Sequence, residues 1–168
     1  MQPPTWQSEL ARIAGSARCI VVLGIGNGLM GDDAAGSLVA SRLSRHERAR
    51  VNSRVTIMDG GTVPENFTGP IRAAKPDLVI LVDAADMGKT PGDIALADPH
   101  SLDSVVTTTH SLPLSSLSRY LEEASGAQVI AVLIQVGSVG FDLPLSPKVR
   151  GGIREVVAGL LPALGFCT

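Results

Sequence analysis

Four continuous apolar runs, each cut off by glycine or aspartate, constrain this chain more than any other feature. They are Cys19 to Gly26 (CIVVLGIG), Val55 to Asp59 (VTIMD), Leu78 to Ala84 (LVILVDA) and Val129 to Val136 (VIAVLIQV). A strand with one wet face alternates apolar and polar residues. These runs do not alternate, so they read as strands covered on both faces.

What covers them lies between the runs. Trp6, Leu10 and Ile13 recur at helical spacing after Pro3-Pro4 and predict a short amphipathic helix over 5–14. Ala35, Leu38, Val39 and Leu43 mark a second apolar stripe, and a helix fits from Pro64 to about Ala73. Leu114, Leu117 and Leu121 mark another. The last helix has Ser146 as cap and Pro147 in its first turn, followed by Val149, Ile153, Val156, Val157, Leu160, Leu161 and Leu164. Ile94 to Asp98, after the turn Thr90-Pro91-Gly92, fits a short edge strand.

Strands alternating with helices predict an α/β fold, a single-domain three-layer α/β/α sandwich with a mostly parallel twisted sheet. The whole 168-residue chain forms that one domain, with residues 1–18 an amino-terminal extension bearing the short helix. Apolar runs do not say which strand lies beside which, so strand order is not legible here.

Composition narrows the function. Aromatics are only 3% of the chain, so the core must be aliphatic. The formal charge is −2 with no Lys/Arg cluster, which argues against nucleic acid as a partner. The basic stretch from Arg42 to Arg54 is broken by Glu47 and apolar residues and reads as a solvated helix end and loop. No apolar run approaches the ~20 residues of a membrane span. The first residues lack a basic region followed by an apolar core, so no secretory signal is expected. Cys19 and Cys167 stand far apart without CxxC spacing; Cys19 reads as a buried small apolar residue and a reducing, cytoplasmic setting is expected.

Ligands of open α/β sheets bind beyond the carboxyl ends of the strands. Here those ends carry GIGNGLMGDD, then Asp59-Gly60-Gly61-Thr62, then Asp83, and His110 follows a polar Thr107-Thr108-Thr109 loop. Gly24-x-Gly26 invites a dinucleotide reading, but Leu29 stands where the third glycine belongs. Two carboxylates, Asp32 and Asp33, would also repel a phosphate there. Asp33, Asp83 and His110 suit a divalent ion such as zinc or nickel, or a polarised carbonyl. The same residues also fit structural roles: Asp33 as helix-start charge, Asp83 as a strand-end turn residue, His110 as a loop histidine. Asp32 reads as structural. Asp59 reads as a turn former whose carboxylate holds the Gly60-Gly61 backbone, and His46 and His100 read as surface residues.

In order, VVLGIGNGLMGDDAAG, MDGGT, LVDA with a downstream PGDI, and TTTHSLPL resemble the hydrogenase maturation proteases. TVPEN, VDAADMG and IQVGSVGFDLPLSP are most similar to the branch serving formate-hydrogenlyase-type hydrogenases. The resemblance runs from Cys19 to Leu164 and leaves the Trp6 helix outside. It implies an endopeptidase that removes the carboxy-terminal extension of a nickel–iron hydrogenase large-subunit precursor after nickel insertion. The family's metal-contacting trio falls on Asp33, Asp83 and His110, which are also the implied catalytic residues. Nickel is then expected to arrive with the substrate, with no tightly bound cofactor of the protein's own, and the protein is expected to be a monomer. Two departures are Gly28, where Pro, Ser or Ile is commoner, and Ala34 for a usual Gly. The hydrolysis has two routes: a metal-polarised carbonyl attacked by carboxylate-activated water, or Asp33 or Asp83 as aspartic-type acid/base with nickel only for recognition. A nickel-checking chaperone without catalysis is the rival class; a nucleotide-dependent oxidoreductase is the remote one.

Overall fold

The computed structural model describes residues 5–46, 53–102 and 112–166. Each apolar run becomes a strand: β1 (Ile20–Ile25), β2 (Val55–Gly61), β3 (Leu78–Ala85) and β5 (Gln128–Gln135), with β4 (Ile94–Ala97) the short one. The helices are α1 (Trp6–Ser16), α2 (Ala35–Ser44), α3 (Thr68–Ala74), α4 (Leu114–Ser125) and α5 (Pro147–Ala163). The helix expected from Pro64 opens as a 3-10 turn, Pro64–Phe67, before α3 proper. Lys75, in the left-handed conformation at φ 49°, then ends it.

The strands lie in the order β2-β1-β3-β5-β4. The first four are parallel, and β4 closes one edge antiparallel to β5. β1 and β3 show no exposed residue, which is why their sequences never alternate. Even so, successive side chains leave opposite faces of the sheet. Val22, Ile80, Val82 and Val132 meet α1, α2 and α5 on one face, through Leu10, Val39, Ile153 and Leu160. Val21, Leu81 and Leu133 meet α3 and α4 on the other, through Ile71, Leu117 and Leu121. The three-layer sandwich is therefore the observed architecture. Burying one such Leu, Ile or Val side chain contributes about 1.5–3 kcal/mol, and dozens are buried to offset chain entropy.

Residues expected as an extension are part of this core. Leu10 and Ala14 of α1 are fully buried, and the Trp6 ring lies against Gly159 of α5, where any side chain would collide with it. Two surface expectations and one of burial are corrected. The Arg54 guanidinium donates to the Ala14 and Ala17 carbonyls at the end of α1, groups a helix leaves without partners. His46 is half-buried, its ring stacked on Phe166 at 5.8 Å. Cys19 is half-exposed rather than buried, its thiol directed at the Ala74 carbonyl. Cys167 lies outside the described residues.

Candidate functional site

Connections on the two faces place the site. The link from β1 through α2 to β2 runs on the α1–α5 side, while the link from β2 through α3 to β3 runs on the other. The chain thus departs in opposite directions from β1 and β3, neighbours in the sheet. A crevice opens at such a switch point, beyond the carboxyl ends of the two strands.

Glycines bring α2 down onto that crevice. A side chain on Gly36 would overlap the carbonyl oxygens of Ile25 and Val82, and one on Gly24 would strike the Gly36 backbone and Ala40. The Gly24-x-Gly26 pattern therefore serves close helix–strand contact rather than a phosphate. In front of α2, the 3-10 turn Asp32–Ala34 carries the paired acids.

Asp33 is 2% exposed. The Asn27 amide donates to its Oδ2 at 3.1 Å and to its carbonyl at 3.2 Å, while Asn27 Oδ1 accepts from the Leu29 amide at 3.0 Å. The loop after β1 thus folds around this carboxylate. Asp83 sits in β3 one residue past Val82, the last residue paired with β1, and is fully buried. By alternation with Leu81 and Ala85 its side chain leaves on the α3–α4 face, and its Oδ1 accepts from the Ala84 amide at 2.8 Å. Both acids therefore lie at the carboxyl ends of β1 and β3. Asp59, near the carboxyl end of β2, accepts from the Gly61 amide at 3.1 Å, the turn role read from its sequence. His110 lies outside the described residues. Among the described residues no three His, Cys, Asp or Glu side chains form a metal-binding group.

Asp32 has a structural role, in a form local sequence did not suggest. Its carboxylate does not cap α2. The Gly137 and Ser138 amides and the Ser146 hydroxyl donate to Oδ2, each at 2.8 Å, and the Ser146 amide donates to Oδ1 at 2.7 Å. Ser146, expected to cap α5 with its hydroxyl, turns it to Asp32 instead. Burial pushes this carboxyl up, but the hydrogen bonds from Ser138, Ser146 and Gly137 outweigh it and hold the group below its ordinary 3.8. Asp32 is thus an ionised clamp joining the loop after β1 to the loop after β5.

Sequence reasoning also missed Gln135, buried at the end of β5. Its carbonyl accepts from the Met87 and Lys89 amides, and its amide donates to Asp86 and to the Val136 carbonyl. The only signal was a polar residue closing an apolar run. His100 is exposed, as read from the sequence, and contacts Glu122 at 2.8 Å. It stands beside Asp98 and Gln128 at the amino ends of the strands, away from Asp33 and Asp83.

Comparison with known proteins gives the family. The family model for hydrogenase maturation protease matches residues 38–163. The hydrogenase 3 maturation protease of Escherichia coli K12 is 37% identical over 137 residues, spanning 81% of this chain and 85% of that protein. The crystal structure of the NiFe hydrogenase maturation protease HycI from Thermococcus kodakarensis superposes with a TM-score of 0.85 at 34% identity, covering 94% of this chain and 99% of that one. The solution structure of the endopeptidase HycI from Escherichia coli gives 0.74 at 35%, with 88% and 90% covered. The first of these reaches further than the sequence resemblance, which stopped short of α1. No helix among the described residues is long and apolar enough to cross a membrane.

Proposed function

Because this chain belongs to the hydrogenase maturation proteases, and is a peptidase, we propose that it removes the carboxy-terminal extension of a nickel–iron hydrogenase large-subunit precursor, using Asp33, Asp83 and His110. The observation that supports this site is the burial of two carboxylates near the carboxyl ends of β1 and β3, at the switch point of the sheet. A buried carboxylate is costly to retain without a partner or a task.

Hydrolysis needs a proton taken from water as it attacks the peptide carbonyl and a proton given to the leaving amine. Asp33 and Asp83 are the acid and base available at this edge. Ser146 donates its hydroxyl to Asp32, but that carboxylate is also held by three backbone amides and does not activate it, so no covalent intermediate is invoked. Nickel enters as part of the substrate, held by the precursor's own ligands. Two carboxylates and an imidazole are fewer than the four protein ligands of a closed structural zinc site, and leave an open face for an ion the precursor already holds. The protein works in the cytoplasm, as a monomer, on a folded precursor.

The test is to incubate it with nickel-loaded and nickel-free precursor and to weigh the products. Only the loaded precursor shortens on this reading. Equal cutting of both, or a stoichiometric ion surviving chelator in the isolated protein, contradicts nickel as the substrate's cargo. Tight binding of the loaded precursor without cutting favours the chaperone.

A further inference from the structure

The exposed apolar side chains of this protein are not scattered. Among the described residues six large ones are exposed, and five (Leu29, Val63, Val139, Phe141 and Leu143) lie in loops that follow β1, β2 and β5 at the carboxyl edge. The sixth, Tyr120, is on α4. Phe141 is 75% exposed and Leu29 64%. A chain in which aromatics are 3% of residues presents one to solvent beside its buried acids.

The two loops carrying most of these groups are joined by backbone hydrogen bonds. The Asp32 amide donates to the Ser138 carbonyl, the Asp142 amide to the Leu29 carbonyl and the Gly140 amide to the Met30 carbonyl. Gly31 and Val139 form an antiparallel bridge. Gly31 is at φ 64°, and a side chain there would press on the Ser138 carbonyl and Leu143. Asp142 holds φ 57°, a left-handed backbone that residues other than glycine rarely adopt. Beneath them the Asp32 carboxylate takes its four hydrogen bonds. An apolar surface fixed in this way loses little entropy on binding, and fixed aromatic side chains are the usual anchors of interfaces.

We propose that Leu29, Val139, Phe141 and Leu143 form the docking surface for an apolar stretch of the precursor polypeptide flanking the bond that is cut, held in place by Asp32. This rests on the reading of the Asp33 and Asp83 edge as the peptidase site. Continuity selects the occupant: Leu29 is four residues before Asp33 on the same loop, so a chain threaded to the carboxylates must cross this surface. Phe141 and Leu29 determine affinity, and Asp32 is a positioning residue.

The experiment measures cleavage of nickel-loaded precursor over a range of concentrations, and binding of the same precursor, for Phe141→Ala, Leu29→Ala, the double variant, Phe141→Trp and Tyr120→Ala. Phe141 is mostly solvated, so folding is preserved, which circular dichroism verifies. The double variant is expected to raise KM and Kd at least tenfold with kcat within about twofold. Phe141→Trp restores both constants, and Tyr120→Ala changes neither. Wild-type KM and Kd in the double variant overturn the proposal. A wild-type protein that leaves the precursor uncut contradicts the peptidase reading instead. Docking is then judged from Kd alone, with loss in the double variant upholding it and equal binding overturning it.

Discussion

The two ends of the sheet use the same residue types to opposite effect. At the amino edge the backbone closes on itself: the Ile20 amide donates to the Arg54 carbonyl, the Asp77 amide to the Cys19 carbonyl, and the Gln128 amide to the Asp77 carbonyl. The Asp77 carboxylate accepts from the Arg18 and Cys19 amides, which hold it below its ordinary value, and Arg54 ties in α1. Longer loops leave the carboxyl edge, with acids buried beneath and apolar side chains left in water. One edge is closed by its own hydrogen bonds and the other leaves apolar side chains exposed. Adjacent aspartates repeat the division: the Asp32 carboxylate takes four hydrogen bonds from the loop after β5, while the Asp33 carboxylate accepts from the Asn27 amide of its own loop. Position in the sheet, rather than residue type, separates the clamp from the acid proposed for the chemistry.

The sharpest way to break that comparison is to change the neighbours separately. Asp33→Asn keeps an oxygen for the Asn27 amide but loses the charge. Cleavage of loaded precursor is expected to fall ~100-fold or more, the usual range for a lost acid–base group, with thermal melting nearly unchanged. Asp32→Ala should do the reverse first, lowering stability in urea by about 1–3 kcal/mol because the Gly137, Ser138 and Ser146 amides lose a charged acceptor.

Acid sharpens the same point. The Asp32 carboxyl is depressed in the folded protein, so the stability it contributes is fully present above 3.8 and is lost as pH falls through the lower folded value. Urea unfolding between pH 6 and 2 is expected to show a smaller loss of stability in Asp32→Asn than in wild type. An identical pH slope would mean that the clamp is not ionised. The smallest effect is expected at the amino end. His100→Ala breaks a half-exposed contact with Glu122 and should change stability by about 1 kcal/mol or less, with cleavage unaffected.

Legibility in the sequence follows the same physical lines. β1, β3 and β5 could be read because strands buried on both faces have no polar positions to disguise them, and α5 because its stripe spans 17 residues. Strand order was hidden, since any of these apolar runs pairs equally well with another. Asp59 and Asp83 were legible as strand-end acids because each closes an apolar run, and Asp33 because it ends the glycine-rich loop after β1. The Asp59 contact lies two residues away and was read correctly. The partners of Asp32 are 105 to 114 residues distant, so Ser146 looked like an ordinary cap and the clamp was invisible. Arg54 misled for the same reason, its acceptors being 37 and 40 residues earlier. His110 was assigned by resemblance alone and lies outside the described residues.

The account stands or falls on which edge does the chemistry, and one paired measurement decides it. Asp83→Asn and Arg54→Ala are followed side by side for shortening of nickel-loaded precursor and for stability in urea. The account predicts that Asp83→Asn keeps its fold and yields no product. Arg54→Ala should lose about 1–3 kcal/mol, because the Ala17 carbonyl loses its guanidinium donor and the Ala14 carbonyl keeps only the Ala17 amide, and process precursor at the wild-type rate. Normal processing by Asp83→Asn, or its loss in a folded Arg54→Ala, would contradict it.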